Sequence, residues 1–336
     1  MRKLKDRDFL ETREGMFFCV AGYLHPPDKV TAYLKYSPVS KGKWRKGDTA
    51  FRRELPYYHV DTVSETIDYL KEAYPHYVHF CPVRNIEMSM VPQSYIAQYY
   101  TPEERMAEIF SGPQDVLEEK VRDIAEDIMD ASGISLDYLG ITGSILIGLH
   151  NPEFSDMDII VYGLETSEKV KNTLKTLENV KILSETRKEE WIKRKMNIFN
   201  ISKLQAELFA SRKWNYGYYK GTYFSVHPTR ADKEITEEYG EITYTGMGST
   251  TITAEIVDSS ESMFLPAVYK VKVLNVKKGN PVTIEEIVSY EGVYCDVFKE
   301  GEKIEAKGRL EKVNGRYQLV VGTLEVKNQY MKFLHV

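Results

Sequence analysis

The chain has 336 residues, 42% of them hydrophobic, an ordinary share for a globular protein and enough for two or three domains. Lys and Arg number 45 against 50 Asp and Glu, a net charge of -5, which excludes nucleic-acid binding by overall basicity and leaves that role to local patches. No run of about eighteen apolar residues occurs, the segment 1–8 lacks a signal-peptide apolar region, and Cys19, Cys81 and Cys295 lie far apart with no metal-ligand spacing; a reduced, cytoplasmic protein with no membrane partner is expected.

Residues 16–21 and 30–36 read as strands. Gly22 and Pro26-Pro27-Asp28 part them, which predicts a hairpin. The basic stretch Lys41 to Lys46, with Trp44 inside it, and then Phe51-Arg52-Arg53, reads either as an exposed loop or as a phosphate-contacting patch with a ring for stacking. Residues 63–74 predict a helix ending before Pro75. His76 and His79 lie near Cys81, without the further ligands a zinc site needs. Thr101-Pro102-Glu103-Glu104 opens a helix with a cap residue, a proline at the first position and early acids. Ser111-Gly112-Pro113 then marks a boundary.

Residues 114–131 predict a strong helix whose apolar face is Val116, Leu117, Val121, Ile124, Ala125 and Ile128. A short strand follows over 138–141, then Gly143-Ser144, then one or two helical turns over 144–150. A strand, a glycine and a helix start leave unpaired N–H groups at the turn. Gly143 lets the backbone approach a phosphate closely. Ser144 can cap the helix or touch a phosphate oxygen. Ser155-Asp156-Met157-Asp158 then opens an apolar, β-branched strand running into Tyr162. Side chains alternate along a strand, so Asp156 and Asp158 point the same way, roughly 7 Å apart, a spacing suited to joint ligation of Mg²⁺.

Residues 166–177 read as a helix, 180–183 as a strand and 187–196 as a basic helix. Lys203-Leu204-Gln205-Ala206-Glu207 fits a helix turn or a strand. Arg212-Lys213-Trp214 and the tyrosines after it mix cations with rings, which suits triphosphate binding as well as an ordinary surface. The strand expected over 221–228 carries Ser225 and His227 but no carboxylate; His227 reads as a base or as a packed side chain. From about residue 234 the texture turns to β-branched strands, 250–257, 267–273, 303–313 and 317–321. Asn314-Gly315 is a two-residue hairpin signal. A small OB-like β-barrel is the expectation for 238–336.

At Gly143-Ser144 and Ser155-Asp156-Met157-Asp158 the sequence resembles the DNA polymerase β-type nucleotidyltransferase superfamily. More closely, it resembles archaeal predicted nucleotidyltransferases, through Arg7-Asp8-Phe9, Gly22 to Pro27, Tyr33 to Tyr36 and Ile141-Thr142-Gly143-Ser144. The resemblance implies an α/β catalytic core, two metals on the aspartate pair and a nucleoside triphosphate held by the glycine-serine turn. Many members carry a third carboxylate on a later strand; Glu207 is the nearest alternative here.

The expected protein is α+β and multidomain. It has an N-terminal α+β region (1–110), a central nucleotidyltransferase-type α/β domain (111–233) and the C-terminal OB-like barrel (238–336). The expected activity is transfer of a nucleoside monophosphate from a nucleoside triphosphate to an acceptor hydroxyl, with RNA or single-stranded DNA as candidate acceptors and Mg²⁺ or Mn²⁺ as cofactor. Asp156 and Asp158 are the expected metal ligands, with Glu207 as a third catalytic carboxylate. Gly143, Ser144, Ser155, Arg212 and Lys213 are the expected nucleotide contacts. Two alternatives stand beside this: a catalytically inactive nucleotidyltransferase fold that binds nucleic acid through its barrel, and a transferase acting on protein or a small molecule.

Overall fold

Strand alternation and helical periodicity sort the chain into three sheets. The computed structural model describes residues 2–55, 60–181, 185–199 and 201–334, with the backbone alone at 60, 61 and 185. The first sheet contains β1 (Phe9–Thr12), β2 (Phe17–Val20), β3 (Lys29–Val39), β4 (Trp44–Lys46) and β5 (Thr49–Arg53). After helix α1 (Val60–Ala73) come β6 (Val78–Cys81), β7 (Ile86–Pro92) and β8 (Ile96–Tyr100). The order is β4-β5-β3-β2-β1-β8, with β7 on β3 and β6 on β7. The expected hairpin is present as antiparallel β2–β3, and the basic stretch forms the tight β4–β5 hairpin. Between β2 and β3 the register slips: Phe17 faces Tyr36, but Phe18 faces Leu34. Lys35 is therefore the extra residue of a β-bulge, a device that re-aims side chains.

Helices α2 (Pro102–Ser111) and α3 (Val116–Ser132) lead into the second sheet. Asp115 caps α3 by accepting from the N–H groups of Leu117 and Glu118 at 2.8 and 3.0 Å. The predicted face of α3 is buried apart from Val116. That residue opens the helix beside its cap and is 54% exposed. Then follow β9 (Leu139–Thr142), α4 (Gly143–Leu146), β10 (Met157–Tyr162), α5 (Leu164–Leu174), β11 (Val180–Lys181), α6 (Glu185–Phe199), α7 (Lys203–Arg212), β12 (Tyr216–Tyr219) and β13 (Thr222–Thr229). The sheet order is β11-β12-β13-β10-β9, with β10 parallel to β13 and antiparallel to β9. Ile141, Met157, Ile159, Val161, Phe224 and Val226 pack against α3 and α5. Alternation sends Thr142, Asp158, Ser225 and His227 to the opposite face.

That opposite face meets the first sheet. Phe9, Phe17, Cys19, Tyr36 and Phe51 share one apolar cluster with Leu146, Ile147 and Leu149, at and just beyond α4. The Thr142 hydroxyl donates to the Arg7 carbonyl at 2.7 Å.

The third sheet contains β14 (Tyr244–Asp258), β15 (Ala267–Lys278), β16 (Glu286–Ser289), β17 (Lys303–Val313), β18 (Arg316–Val321) and β19 (Tyr330–Phe333). Pairing runs β14-β15-β16-β18-β17 and returns to β14, with β16–β18 parallel and β19 added on β17. Asn314 and Gly315 both have positive φ, 45° and 87°, and make the β17–β18 turn. Trp191, Ile192 and Phe199 of α6, with Ala206 and Phe209 of α7, belong to the core of this third sheet. The chain is thus a mixed α+β protein of several sheets. None of its described helices is long and apolar enough to cross a membrane.

Candidate active site

Gly143 ends β9 with φ 70°, a left-handed conformation that suits glycine, and begins the single turn of α4. A Cβ built there would lie 2.5 Å from Oδ2 of Asp158. The elbow and the carboxylate therefore border one hollow that any larger residue would fill. Asp158 lies opposite Thr142 on one side and level with Ser225 on the other. The Ser225 hydroxyl donates to Asp158 Oδ1 at 2.5 Å. Nε2 of His227 lies 2.7 Å from that hydroxyl and 3.4 Å from Oδ1. Two residues of β13 thus fix one oxygen of Asp158, and the other faces the elbow. Asp156 stands just before β10, on the side of Asp158.

Burial raises the Asp156 carboxyl, and the charge of Asp158 adds to the rise; Arg53 and Lys35 pull the other way. Burial would raise Asp158 too. Hydrogen bonds and charge from His227, the Ser225 hydroxyl and the Arg7 charge outweigh it, and Asp158 sits well below the usual carboxylate range. Burial, helped by Arg7, pushes His227 down to about 4, so at neutral pH it is a neutral hydrogen-bonding partner. Arg7 then supplies the lasting positive charge on Asp158. Burial also depresses Lys35 far below the usual ammonium range, with Arg53 adding to the effect and Asp158 opposing it. Sequence reasoning noted Ser225 and His227 but not this convergence of Arg7, Lys35 and Arg53. Its one local signal was a lysine inside an otherwise apolar strand.

The remaining expected residues are placed as follows. Ser144 is buried within α4. Ser155 is buried and its hydroxyl accepts from the Asn151 N–H at 2.9 Å, pinning the loop that delivers Asp156. Glu207 lies on α7, 3.5 Å from Lys203 one turn earlier. Arg212 donates to both oxygens of Glu302, at 2.6 and 2.7 Å, and to the Val297 carbonyl. Lys213 donates to the carbonyls of Gly292 and Cys295. Burial lowers Lys213 to about 8 against the opposing pull of Cys295 and Asp296. These contacts hold Arg212 and Lys213 at the junction with the third sheet, because α7 packs its apolar residues there.

A second acidic group lies at the end of the turn after α4. Among the described residues, Asp115, Glu118 and His150 bring ligand atoms within 4.8 Å of one another and offer a metal-binding set. Their oxygens already have partners. Asp115 Oδ1 caps α3, and Oδ2 lies 2.8 Å from His150 Nε2. Glu118 accepts from Arg105 and from the Gln114 N–H.

Residues 121–215 match the nucleotidyltransferase domain family, a range that holds Gly143, Ser144, Asp156 and Asp158 and stops short of β13. The chain is also 30% identical over 343 residues to Uncharacterized protein MJ1086 of Methanocaldococcus jannaschii, covering 98% of this chain and 99% of that protein. The chain belongs to this archaeal family of nucleotidyltransferase-domain proteins. No solved structure matches it.

Proposed function

We propose that the chain is a metal-dependent nucleotidyltransferase whose centre is the hollow between Gly143 and Asp158. The observation that carries this reading is the 2.5 Å separation between a virtual Gly143 Cβ and Asp158 Oδ2. Backbone that can approach a phosphate borders a carboxylate that can hold its cation. Asp156 and Asp158 offer hard oxygen donors on one side of the strand, which fits Mg²⁺ or Mn²⁺. Such an ion supplies the charge that eases attack by the acceptor hydroxyl and departure of pyrophosphate.

The protein's own part is placement. Ser225 and His227 hold Asp158 in one orientation, and Ser155 ties down the loop before Asp156. Gly143 and Ser144 seat the donor's phosphates. The acceptor oxygen bonds to the α-phosphorus as the bond to the pyrophosphate oxygen breaks. We read the closed pairing of β14 to β18 as an OB-like barrel whose task is to hold the acceptor, with RNA or single-stranded DNA as candidates. Glu207, Arg212 and Lys213 have no part in this scheme, since their charges meet other partners.

Incubation with each labelled nucleoside triphosphate, Mg²⁺ or Mn²⁺ and a pool of native RNA tests the reading. Metal-dependent transfer of label supports it. Ser225 in register with Asp158, where many superfamily members carry a carboxylate, favours a second reading: an inactive fold that binds strands through the barrel. Strand binding with no label transfer under any donor would select that one.

A further inference from the structure

The aspartate pair sits on one sheet, and the cations that act on it come from another. Arg53 and Lys35 act on Asp156, and Arg7 acts on Asp158. Each arrives by a distinct backbone device. Arg7 has φ 71°, rare for a side chain of its size, and its carbonyl is tied to Thr142 at the foot of the elbow. Lys35 is the bulged residue of β3 and is 2% exposed. Arg53 pairs with Tyr36 across β3–β5, so it shares the sheet face whose apolar members pack on α4.

Desolvating an ammonium costs several kcal/mol, so a lysine kept at such a position needs a reason beyond packing. Charge supplies one. Arg7, Lys35 and Arg53 oppose Asp156, Asp158 and Asp6, whose Oδ2 lies 3.6 Å from Arg7 Nε. The set balances without a metal. A divalent ion then leaves it two charges positive, a deficit that a polyphosphate fills. The confined position suits a short phosphate chain better than a strand passing through.

We propose that the first sheet is the polyphosphate-binding wall of the site: Arg7, Lys35 and Arg53 receive the phosphate oxygens of the donor whose metal Asp156 and Asp158 hold. This rests on the nucleotidyltransferase reading. The wall explains why a sheet outside the matched nucleotidyltransferase range packs against the elbow.

The test uses the full chain, wild type, Arg53→Gln and Lys35→Met, with two probes. Mn²⁺ alone is titrated by electron paramagnetic resonance, and inorganic tripolyphosphate with Mn²⁺ by calorimetry. Both variants should lose about tenfold or more in tripolyphosphate affinity. Both should bind Mn²⁺ alone as tightly or more tightly, because a positive charge beside the ion has gone. Opposite signs for the two probes are not what a merely structural role gives. Methionine at position 35 removes a buried charge and keeps the volume, so Lys35→Met should melt no lower than wild type. Unchanged tripolyphosphate affinity in both variants overturns the proposal, as does parallel loss of both probes. Weaker binding of an oligonucleotide with unchanged tripolyphosphate binding overturns it in favour of a strand. If wild type binds no Mn²⁺, the transferase reading fails by itself; a drop in tripolyphosphate binding would still uphold the wall.

Discussion

Two groups of acidic side chains flank the turn that begins at Gly143, and they differ in what remains to be satisfied. In the group of Asp115, Glu118 and His150, the carboxylates already serve helix N–H groups, Arg105 and the imidazole. In the pair Asp156 and Asp158, one oxygen of Asp158 is held by Ser225 and His227 while the other borders an open hollow, and the surrounding charge comes from a separate sheet. A count of ligand atoms favours the first group. Spare coordination favours the second. A carboxylate that already caps a helix or pairs with a buried arginine must give up that bond before it can take a cation, and the bond broken is one that holds the fold.

The largest expected effect tests the second group. Asp158→Asn keeps the shape and hydrogen bonding of the side chain and removes its charge. Label transfer should fall by about a thousandfold or more, and Mn²⁺ binding should vanish, with the urea midpoint near that of wild type. Persistent transfer would show that the pair is not the metal centre. The converse experiment is Glu118→Gln. Glu118 is 1% exposed and paired with Arg105, so this variant leaves a buried guanidinium without its counter-charge and should cost about 3 kcal/mol in urea unfolding. Mn²⁺ binding, measured below the unfolding transition, should stay as in wild type. Loss of Mn²⁺ binding with intact stability would reverse the comparison and make the first group the metal site.

Gly143→Ala probes the border of the hollow. An alanine at φ 70° costs about 1–2 kcal/mol by backbone sterics alone. Its methyl group would also press on Asp158 Oδ2. The expected result is a stability loss of about 2 kcal/mol together with roughly tenfold weaker Mn²⁺ binding. A stability loss with unaltered Mn²⁺ affinity would mean that the elbow and the carboxylate do not share a ligand.

The contrast also marks what the sequence could and could not tell. The common facing of Asp156 and Asp158 was legible because strand side chains alternate with period two, whatever packs around them. The β2–β3 hairpin and the Asn314-Gly315 turn were legible for similar local reasons. Lys35 was not, since a bulge that re-aims one side chain depends on the pairing of two strands and leaves no mark on either alone. Arg7 sits in a loop whose conformation is held by Thr142, far along the chain. Arg212 and Lys213 follow the aspartates in sequence, and that proximity suggested a shared site. Phe209 and Ala206 instead anchor α7 in the third core and carry both cations to Glu302 and the Gly292–Cys295 carbonyls. The third carboxylate was sought on the strand that the structure does place beside Asp158. A hydroxyl and an imidazole stand there in its stead.

The smallest effect concerns Asp115, and its sign can be worked out. Burial would raise this carboxyl, but hydrogen bonds from the Glu118 N–H, His150 and the Leu117 N–H outweigh it, and the folded value lies below the ordinary 3.8. A carboxylate depressed in the folded state contributes stability that is fully present above pH 3.8 and is lost as pH falls through the folded value. Asp115→Ala should cost about 1 kcal/mol at pH 7, the usual worth of an N-cap. Asp115→Asn keeps a capping oxygen and removes only the charge, so it should cost a few tenths of a kcal/mol. Urea unfolding at pH 7 and near pH 3 separates the two contributions. The gap between wild type and Asp115→Asn should narrow at the lower pH, as wild type gains its proton, while the gap to Asp115→Ala should persist in part. A gap to asparagine that widened on acidification would mean that Asp115 is not held as a helix-capping anion. The first group would then have the unspent charge that a metal site requires.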